Sequence, residues 1–406
     1  MATLTIKNVR ILDPVLNKNE TATITCPVEG EDITIDGEGL YAFPAFVDVH
    51  VHLRDPGFTE KETLETGAAA ALHGGFGHVV AMANTKPVMC GEAISDFYRR
   101  AKALPVHAYT VSALTKDLKG KELVDMEEAA RLGAVGFSDD GFPVDNVALL
   151  KEGLARAKAL ELPISLHEED PAYVKNPGVD SRVAPAFGLK GAEAMAEVSL
   201  SARDLSLAHY MGAKLDIQHI SCALTARLVA AFAASGAKVL GEITPHHLTM
   251  TAEDVKTHGT LAKMNPPLRT AEDCAGLAEF IGHESFCIAT DHAPHTAEEK
   301  NRPLKEAPSG ITGMETAFVL LYRELVLKEK CRLEDLVAAM TKIPADFYKL
   351  PHKGVAGGEF VLFDPQGETE VDDAFFRGKS HNSPLLGEKF RGKIKGICVK
   401  GRYHEF

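Results

Sequence analysis

Two histidines stand two residues apart in the apolar stretch FVDVHVHL, and this spacing is typical of a metal site. Residues two apart on a strand point to the same side, so His50 and His52 would direct both imidazoles at one point. A divalent cation needs such convergent nitrogen ligands. Arg54 continues the same face and could hold an anionic group of a substrate beside the metal. Because paired histidines also occur in protein cores, further ligands have to decide between the two interpretations.

The pattern of apolar and polar residues along the chain predicts the elements that must position these residues. After Pro44, apolar strand-like runs alternate with amphipathic helical stretches as far as about residue 350, which gives eight β-then-α units. Repeated units of this length indicate an α/β fold with a parallel sheet, and eight of them predict closure into a TIM (β/α)8 barrel over residues 45–350. Residues 1–44 and 351–406 have strand-like sequences, and we expect them to form one small, sandwich-like β-domain.

Metal-capable side chains fall at the ends of five of the eight predicted strands. In a TIM barrel the active site lies at the carboxyl ends of the strands. The residues concerned are His50 and His52 on strand 1, Asp139 and Asp140 on strand 4, His167 on strand 5, His219 on strand 6 and Asp291 on strand 8. The packing of a barrel does not require histidine or aspartate at the carboxyl end of a strand. The metal interpretation is therefore favoured over that of core histidines.

The ligand types indicate zinc. Nitrogen and carboxylate oxygen without thiolate favour Zn2+, with manganese or cobalt as substitutes. Four histidines and two aspartates exceed what one tetrahedral ion with an open position can use, but they fit two ions that share a carboxylate. We expect one or two Zn2+ ions per subunit, with two favoured. Such a site lowers the pKa of bound water toward about 7, and Asp291 could bind one ion and still relay the proton of that water.

Eight short motifs, in this order and at these intervals, resemble those of the class I dihydroorotases of the amidohydrolase superfamily: HVHLRDPG, MANTKP, GFSDDG, LHEED, QHIS, TPHHL, KMNPPLR and ATDHAPH. Within that family the bacterial enzymes are the most similar. The resemblance extends to GKSHNSPLLG near the C-terminus and so covers nearly the whole chain. It implies a zinc-dependent cyclic amide hydrolase that interconverts N-carbamoyl-L-aspartate and L-dihydroorotate in pyrimidine synthesis.

The resemblance also implies a function for each site residue. For the metals it implies His50, His52 and Asp291 at one ion, His167 and His219 at the second, and Asp140 as the bridge, with Asp291 also the catalytic base and acid. For the substrate it implies Arg54, Asn84 and His295 at the carboxylate, Asn265 along the pyrimidine ring, and backbone groups near Gly313. The polar segment 298–312 that follows is predicted as a loop over the site or as an ordinary solvated loop.

Two other functions stay open. Allantoinase or dihydropyrimidinase would share the barrel, but such enzymes usually rely on a carboxylated lysine on strand 4, and AVGFSDDG has none. An aspartate must therefore bridge, and class I enzymes with a DDG pattern use the second one, which here is Asp140. Arg54 with Asn84 also implies a substrate carboxylate, which a simple hydantoin lacks. A non-catalytic, dihydroorotase-like partner of aspartate transcarbamoylase would have lost metal ligands, and none is lost here.

The composition argues against several classes of binding partner. The net charge is 44 − 57 = −13, and the absence of basic runs argues against nucleic acid or an anionic membrane as a partner. The seven cysteines are scattered and form no CxxC, so a reducing cytoplasm fits better than a disulfide framework. No apolar stretch is long enough to span a bilayer. We expect a small-molecule substrate and a homodimer, while association with aspartate transcarbamoylase stays open.

Overall fold

The computed structural model describes residues 2–406, in which strands and α-helices are numbered along the chain. The strands are β1 (Ala2–Asp13), β2 (Lys18–Val28), β3 (Ile33–Asp36), β4 (Tyr41–Pro44), β5 (Phe46–Val51), β6 (Phe76–Ala81), β7 (His107–Thr110), β8 (Ile164–Leu166), β9 (Lys214–Ile217), β10 (Lys238–Ile243), β11 (Phe286–Ile288), β12 (Phe360–Glu370), β13 (Lys389–Val399) and β14 (Arg402–Glu405). The helices are α1 (Leu64–His73), α2 (Glu92–Ala101), α3 (Met126–Arg131), α4 (Val147–Ala159), α5 (Met195–Met211), α6 (Ala223–Ala234), α7 (Pro245–Thr249), α8 (Asp254–His258), α9 (Ala271–Ala278), α10 (Ala297–Lys300), α11 (Ala317–Leu321), α12 (Leu333–Ala339) and α13 (Lys342–Tyr348). Within residues 2–406, no helix combines the length and the apolar character that a membrane crossing requires.

Seven strands from the two ends of the chain form one mixed sheet. Its order is β14-β13-β12-β4-β1-β2, and β3 pairs with β1 in parallel beside that path. The antiparallel pairing of β12 with β4 joins the C-terminal strands to the N-terminal ones. Leu4, Ile24, Phe360 and Cys398 belong to one buried apolar cluster, so β1, β2, β12 and β13 share a common core.

The other seven strands, β5 to β11, pair in parallel in chain order. β5, β6 and β7 form one sheet, and β8 to β11 form another. Isolated parallel bridges join the two sheets through Phe137, which pairs with Ser112 after β7 and with Ile164 in β8. A further parallel bridge between Val51 and His292 connects the segment after β11 back to β5. The predicted fourth strand is thus reduced to a bridge at Phe137, and the structure confirms an α/β fold.

Local sequence explains how these elements form. All six residues of β5 are buried, as expected for a parallel strand that is covered on both faces. Helix α1 begins at a capping box in which Thr63 and Thr66 exchange hydrogen bonds, and its alanine-rich sequence buries one face. Helix α4 begins where the side chain of Asn146 accepts the N–H of Leu149. The caps set where each helix starts, and the buried faces hold it against the parallel strands.

A carboxylate joins the mixed sheet to the amino ends of two parallel strands. His78 in β6 and His107 in β7 are register partners, and their rings stack with centroids 4.5 Å apart. Glu359, directly before β12, accepts hydrogen bonds from His107 Nε2 at 2.7 Å and from His78 Nε2 at 3.3 Å. Burial lowers the pKa of His78. Burial would raise the pKa of Glu359, but the hydrogen bonds from the two histidines hold it below its usual range.

The buried His78 predicts a loss of stability in mild acid. Its pKa is lowered in the folded chain, so below the ordinary imidazole pKa of about 6.5 the unfolded state binds a proton more readily. The thermal midpoint of the native protein should therefore fall between about pH 7.5 and about pH 5.5, and His78→Gln should remove part of that fall. His209→Gln, at an exposed position, is the control and should retain the native fall. Equal falls in the native protein and in His78→Gln would contradict the prediction.

Candidate metal centre and active site

The two histidines of β5 direct their rings into the interior of the parallel strands. His50 is fully buried and His52 nearly so, with ring centroids 5.4 Å apart. The Nε2 atom of His50 lies 3.5 Å from Asp291 Oδ1 and 3.6 Å from Asp140 Oδ1. The Nε2 atom of His52 lies 3.0 Å from the same oxygen of Asp291. The structure therefore brings the residues predicted on strands 1, 4 and 8 together.

His167 and His219 complete the group from the ends of β8 and β9. The Nδ1 atom of His167 lies 2.9 Å from the Nε2 atom of His219, and the ring centroids are 4.6 Å apart. Asp140 Oδ1 lies 3.7 Å from His167 Nδ1 and 3.5 Å from His219 Nε2. All six residues predicted as metal ligands thus meet around Asp140 and Asp291.

The two aspartates of the DDG motif point to different places. The Oδ1 atom of Asp139 accepts the backbone N–H groups of Leu114 and Thr115, each at 2.9 Å, and its Oδ2 atom accepts the hydroxyl of Thr115. Asp139 therefore fixes the loop after β7, while Asp140 faces the histidines. This division agrees with strand alternation, which allows only one of two neighbours to face the cluster.

Opposite charges balance within this cluster. Burial alone would raise the pKa of Asp140, but neighbouring histidines, His50 first, hold it well below its usual range. Burial opposes protonation of His50, yet the carboxylates of Glu242, Asp291 and Asp140 raise its pKa well above its usual range. Burial likewise opposes protonation of His167, but hydrogen bonds to carboxylates raise its pKa to about 10. The carboxylates are therefore anionic, and their negative charge favours a positive charge among the imidazoles.

The donor set fits divalent metal. The buried His50 Nε2, which faces Asp140 and Asp291, has no hydrogen-bond partner among residues 2–406, and a cation can take the place of the protons that the carboxylates favour. Three overlapping groups have ligand atoms within 4.8 Å of one another: His50, His52 and Asp140; Asp140, His167 and His219; and His50, His219 and Asp291. Because Asp140 belongs to two of these groups, its carboxylate can be shared between two ions.

Two acids that the sequence analysis missed orient the histidines. Glu242 in β10 is fully buried, and its Oε2 atom accepts His50 Nδ1–H at 2.8 Å and the backbone N–H of His219 at 3.1 Å. Glu169 accepts His167 Nε2–H at 3.0 Å. The two ring bonds leave His50 Nε2 and His167 Nδ1 facing the cluster, which is how outer carboxylates orient metal-binding histidines. The signal for Glu242 was present in the sequence, since an acid inside the apolar strand KVLGEI needs a buried partner.

A cavity of about 300 Å3 opens above the cluster. Four of the five residues predicted to bind substrate line it: Arg54, Asn84, Asn265 and His295. Gly313, the fifth, is buried and is not part of this lining, and Ser309 and Gly310 stand there instead. The reason is that Ile311 O accepts the N–H of Ala293 at 2.9 Å, which aligns the chain after Gly310 with the extension of β11.

One wall of the cavity combines a cation with a neutral imidazole. Arg54 Nη2 lies 3.3 Å from His295 Nε2, and Arg54 Nε donates to Pro294 O at 3.1 Å. Burial, and then the charge of Arg54, lowers the pKa of His295 to about 2, so the ring is neutral. The planar guanidinium of Arg54 presents paired N–H donors, which are suited to recognise a carboxylate, and the neutral ring stands beside it.

The two asparagines of the cavity contact the histidine cluster directly. Asn84 Nδ2 donates to Asp140 Oδ2 at 2.9 Å, and Asn84 Oδ1 lies 3.0 Å from His52 Nδ1. Asn265 Nδ2 lies 3.3 Å from His167 Nε2. Asn84 therefore supports two predicted metal ligands in addition to lining the cavity, which the sequence analysis did not foresee.

Comparisons with known proteins identify the family. The profile described as "Dihydro-orotase-like" matches residues 39–224. The dihydroorotase of Clostridioides difficile (strain 630) is 41% identical over 414 residues, which cover 98% of this chain and 98% of that protein. The dihydroorotase of Clostridium acetobutylicum is 39% identical, again over 98% of both chains. The chain belongs to the dihydroorotase family. The resemblance that the sequence motifs indicated is thereby confirmed.

Solved structures of other enzymes share the fold of this dihydroorotase-family chain. An L-hydantoinase (dihydropyrimidinase) from Arthrobacter aurescens superposes with a TM-score of 0.85 at 23% identity, covering 99% of this chain and 96% of that one. A dihydropyrimidinase from Brevibacillus agri gives a TM-score of 0.84 at 20% identity, covering 99% and 94%. At such identity the likeness shows a common fold alone.

The different surroundings of Asp139 and Asp140 predict different defects in this dihydroorotase-family chain. Asp140→Asn should weaken Zn2+ binding about tenfold or more, because the carboxylate shared by two ligand groups is lost. Asp139→Asn should retain Zn2+ but lower the thermal midpoint, since removing a charged acceptor from buried N–H groups costs about 1 kcal/mol or more. Chelator competition and thermal unfolding measure the two effects. Loss of Zn2+ in Asp139→Asn with retention in Asp140→Asn would reverse the assignment.

Proposed function

We propose that this chain is a zinc-dependent dihydroorotase, which interconverts N-carbamoyl-L-aspartate and L-dihydroorotate. One observation carries the proposal: the pair formed by Arg54 and His295 lines the same cavity as the cluster of histidines and aspartates. A site for a carboxylate thus lies beside a site suited to metal-assisted hydrolysis. The curated relatives at 37–41% identity, which carry the name dihydroorotase, support the same reaction.

The proposal includes the architecture that holds this site. The parallel pairings from β5 to β11, with the bridges at Phe137 and between Val51 and His292, support a closed (β/α)8 barrel over residues 45–350. The mixed sheet supports a small β-domain built from residues 1–44 and 351–406. In such a barrel the ligand cluster would lie at the carboxyl ends of the strands, where TIM-barrel active sites are found.

Two Zn2+ ions would be held by six residues. We assign His50, His52 and Asp291 to one ion, because the Nε2 atoms of the two histidines lie 3.5 and 3.0 Å from Asp291 Oδ1. We assign His167 and His219 to the other ion, and Asp140 to both. When bound, the ions supply Lewis acidity toward the ring carbonyl and lower the pKa of the attacking water toward about 7. The shared position of Asp140 in two ligand groups supports this division.

The chain's own residues then orient the substrate and move the proton. Arg54, Asn84 and His295 would hold the substrate carboxylate at the wall of the cavity, and Asn265 would lie along the ring. In ring opening, the water oxygen bonds to the ring carbonyl carbon and the bond from that carbon to the ring nitrogen breaks. Asp291, which lines the cavity, accepts the proton of the water and returns it to the departing nitrogen, first as base and then as acid.

Two alternative functions are less well supported. A hydantoinase or dihydropyrimidinase activity has the likeness in fold at 20–23% identity in its favour, but the cation at the cavity wall is suited to a substrate with a carboxylate. A non-catalytic partner of aspartate transcarbamoylase would not need the complete ligand set that is present. We propose that the chain forms a homodimer, which the resemblance supports. We also propose that it is cytoplasmic, because the scattered cysteines fit a reducing compartment.

An assay of two substrates tests the proposed function. The zinc-loaded protein should open the ring of L-dihydroorotate and close N-carbamoyl-L-aspartate, and removal of metal by a chelator should abolish both until Zn2+ is returned. Dihydrouracil has the same ring without the carboxylate and is the matched control substrate. Turnover of dihydrouracil without turnover of L-dihydroorotate would favour dihydropyrimidinase and contradict the proposal.

Substitution of Arg54 tests how the substrate is recognised. Arg54→Met should raise the KM for L-dihydroorotate about tenfold to a hundredfold, because a charge-assisted contact contributes about 1.5–3 kcal/mol. The Zn2+ content should stay unchanged, since Arg54 is not among the ligand groups. Arg54→Lys keeps the charge without the planar fork and should recover part of the loss. An unchanged KM combined with loss of Zn2+ in Arg54→Met would show that the assignment is wrong.

A further inference from the structure

A residue far along the chain reaches the wall of the substrate cavity. Asn382 lies in the segment GKSHNSPLLG, between β12 and β13, and only 4% of its surface is exposed. Its Oδ1 atom accepts the backbone N–H of His295 at 2.9 Å. Its Nδ2 atom donates to Ala293 O and to Gly310 O, both at 3.0 Å. The side chain therefore ties the residues after β11 to the end of the 298–312 loop.

The chemistry of this junction requires an amide. Two carbonyl oxygens need donors and one N–H needs an acceptor, and the side chain of Asn382 supplies both N–H donors and the oxygen. A carboxylate of the same shape would keep the acceptor but place its second oxygen against two carbonyl oxygens. The backbone adds one more bond, since Thr312 N–H donates to Asn382 O at 3.1 Å.

Both segments that Asn382 joins face the cavity. Ala293 and His295 line it from one segment, and Ser309 and Gly310 line it from the other. They are in close contact, because His295 Nε2–H donates to Ser309 O at 2.9 Å. A Cβ atom on Gly310 would come within 2.8 Å of both Ala293 O and the His295 ring, so only glycine allows this approach.

The segment that carries Asn382 is itself anchored. Glu315 accepts the N–H of Gly378 at 3.1 Å, and Glu62 accepts the N–H of Lys379 at 3.0 Å. The hydroxyl of Ser380 donates to Lys61 O at 2.7 Å. Asn382 is therefore held from behind by bonds that do not involve the cavity wall, and it can transmit that fixed position to His295 and Gly310.

We propose that Asn382 is a positioning residue for substrate binding, which holds His295 and the 309–310 wall in register with Arg54. The proposal rests on the proposed function, in which Arg54 and His295 bind the substrate carboxylate. Because Asn382 contacts the backbone of His295 and none of the metal-ligand groups, it affects substrate binding rather than metal binding. The same bonds hold the end of the 298–312 loop at Gly310 and Thr312, so loss of the amide loosens that end of the loop.

The test compares Asn382→Asp and Asn382→Ala with Ser380→Ala, which removes one anchor of the same segment without touching the wall. Both Asn382 variants should raise the KM for L-dihydroorotate about tenfold or more, leave kcat within about threefold and keep the native Zn2+ content. Ser380→Ala should lower the thermal midpoint about as far as the Asn382 variants do, but it should keep the native KM. A native KM in the Asn382 variants, or a rise in KM equal to that of Ser380→Ala, would overturn the proposal.

A second readout does not depend on the reaction. Lys305 is exposed in the 298–312 loop, and limited trypsin cleavage after it should be faster in both Asn382 variants and unchanged in Ser380→Ala. Failure of the proposed function would leave this result intact, whereas equal cleavage rates would overturn the positioning by Asn382. If the Asn382 variants do not fold, Lys300→Met decides, because it removes the other donor to Gly310 O, at 3.0 Å, without changing the C-terminal segment. Native KM and native cleavage in Lys300→Met would then overturn the proposal, and a rise in both would support it.

Discussion

The carboxylate of Asp140 lies among four imidazoles, with its oxygens between 3.5 and 3.7 Å from a nitrogen of His50, His52, His167 and His219. A buried charge without compensation costs several kcal/mol, so these partners are a condition of the fold as well as of the chemistry. They come from three separate strand ends. Because a shift of one residue turns a strand's side chains to the opposite face, this single carboxylate constrains the register of the parallel strands around it.

Around that centre a second set of polar residues fixes the orientation of the first. Glu242 and Glu169 use the outer ring nitrogens of His50 and His167, and Asn84 connects His52 to Asp140. Glu242 and Glu169 are not part of the cavity lining, yet each restricts the rotation of a ring whose other nitrogen points to the cluster. Such support is what allows a metal site to keep its geometry without help from the metal.

The fold itself does not select the reaction. A dihydropyrimidinase and an L-hydantoinase share it at 20% and 23% identity, with TM-scores of 0.84 and 0.85. In the cavity wall of this chain a guanidinium and a neutral imidazole stand beside the histidine cluster. The mixed sheet contributes indirectly to that wall, because the segment between β12 and β13 carries Asn382 to the backbone of His295. The C-terminal segment is therefore connected to the site through the hydrogen bonds of Asn382.

The sequence by itself determined the α/β class, the six residues of the cluster and four of the residues that line the cavity. It could do so because strand alternation and chemical type are local properties, and the family motifs repeat them in a fixed order. Only the tertiary structure decided the pairing of His50 with Glu242, 192 positions away, and of Asn382 with His295, 87 positions away. It also showed that Ser309 and Gly310, rather than Gly313, line the cavity. The predicted fourth strand is reduced to a bridge at Phe137. These features depend on which distant segments meet, and no local pattern of residue types encodes a distance across the fold.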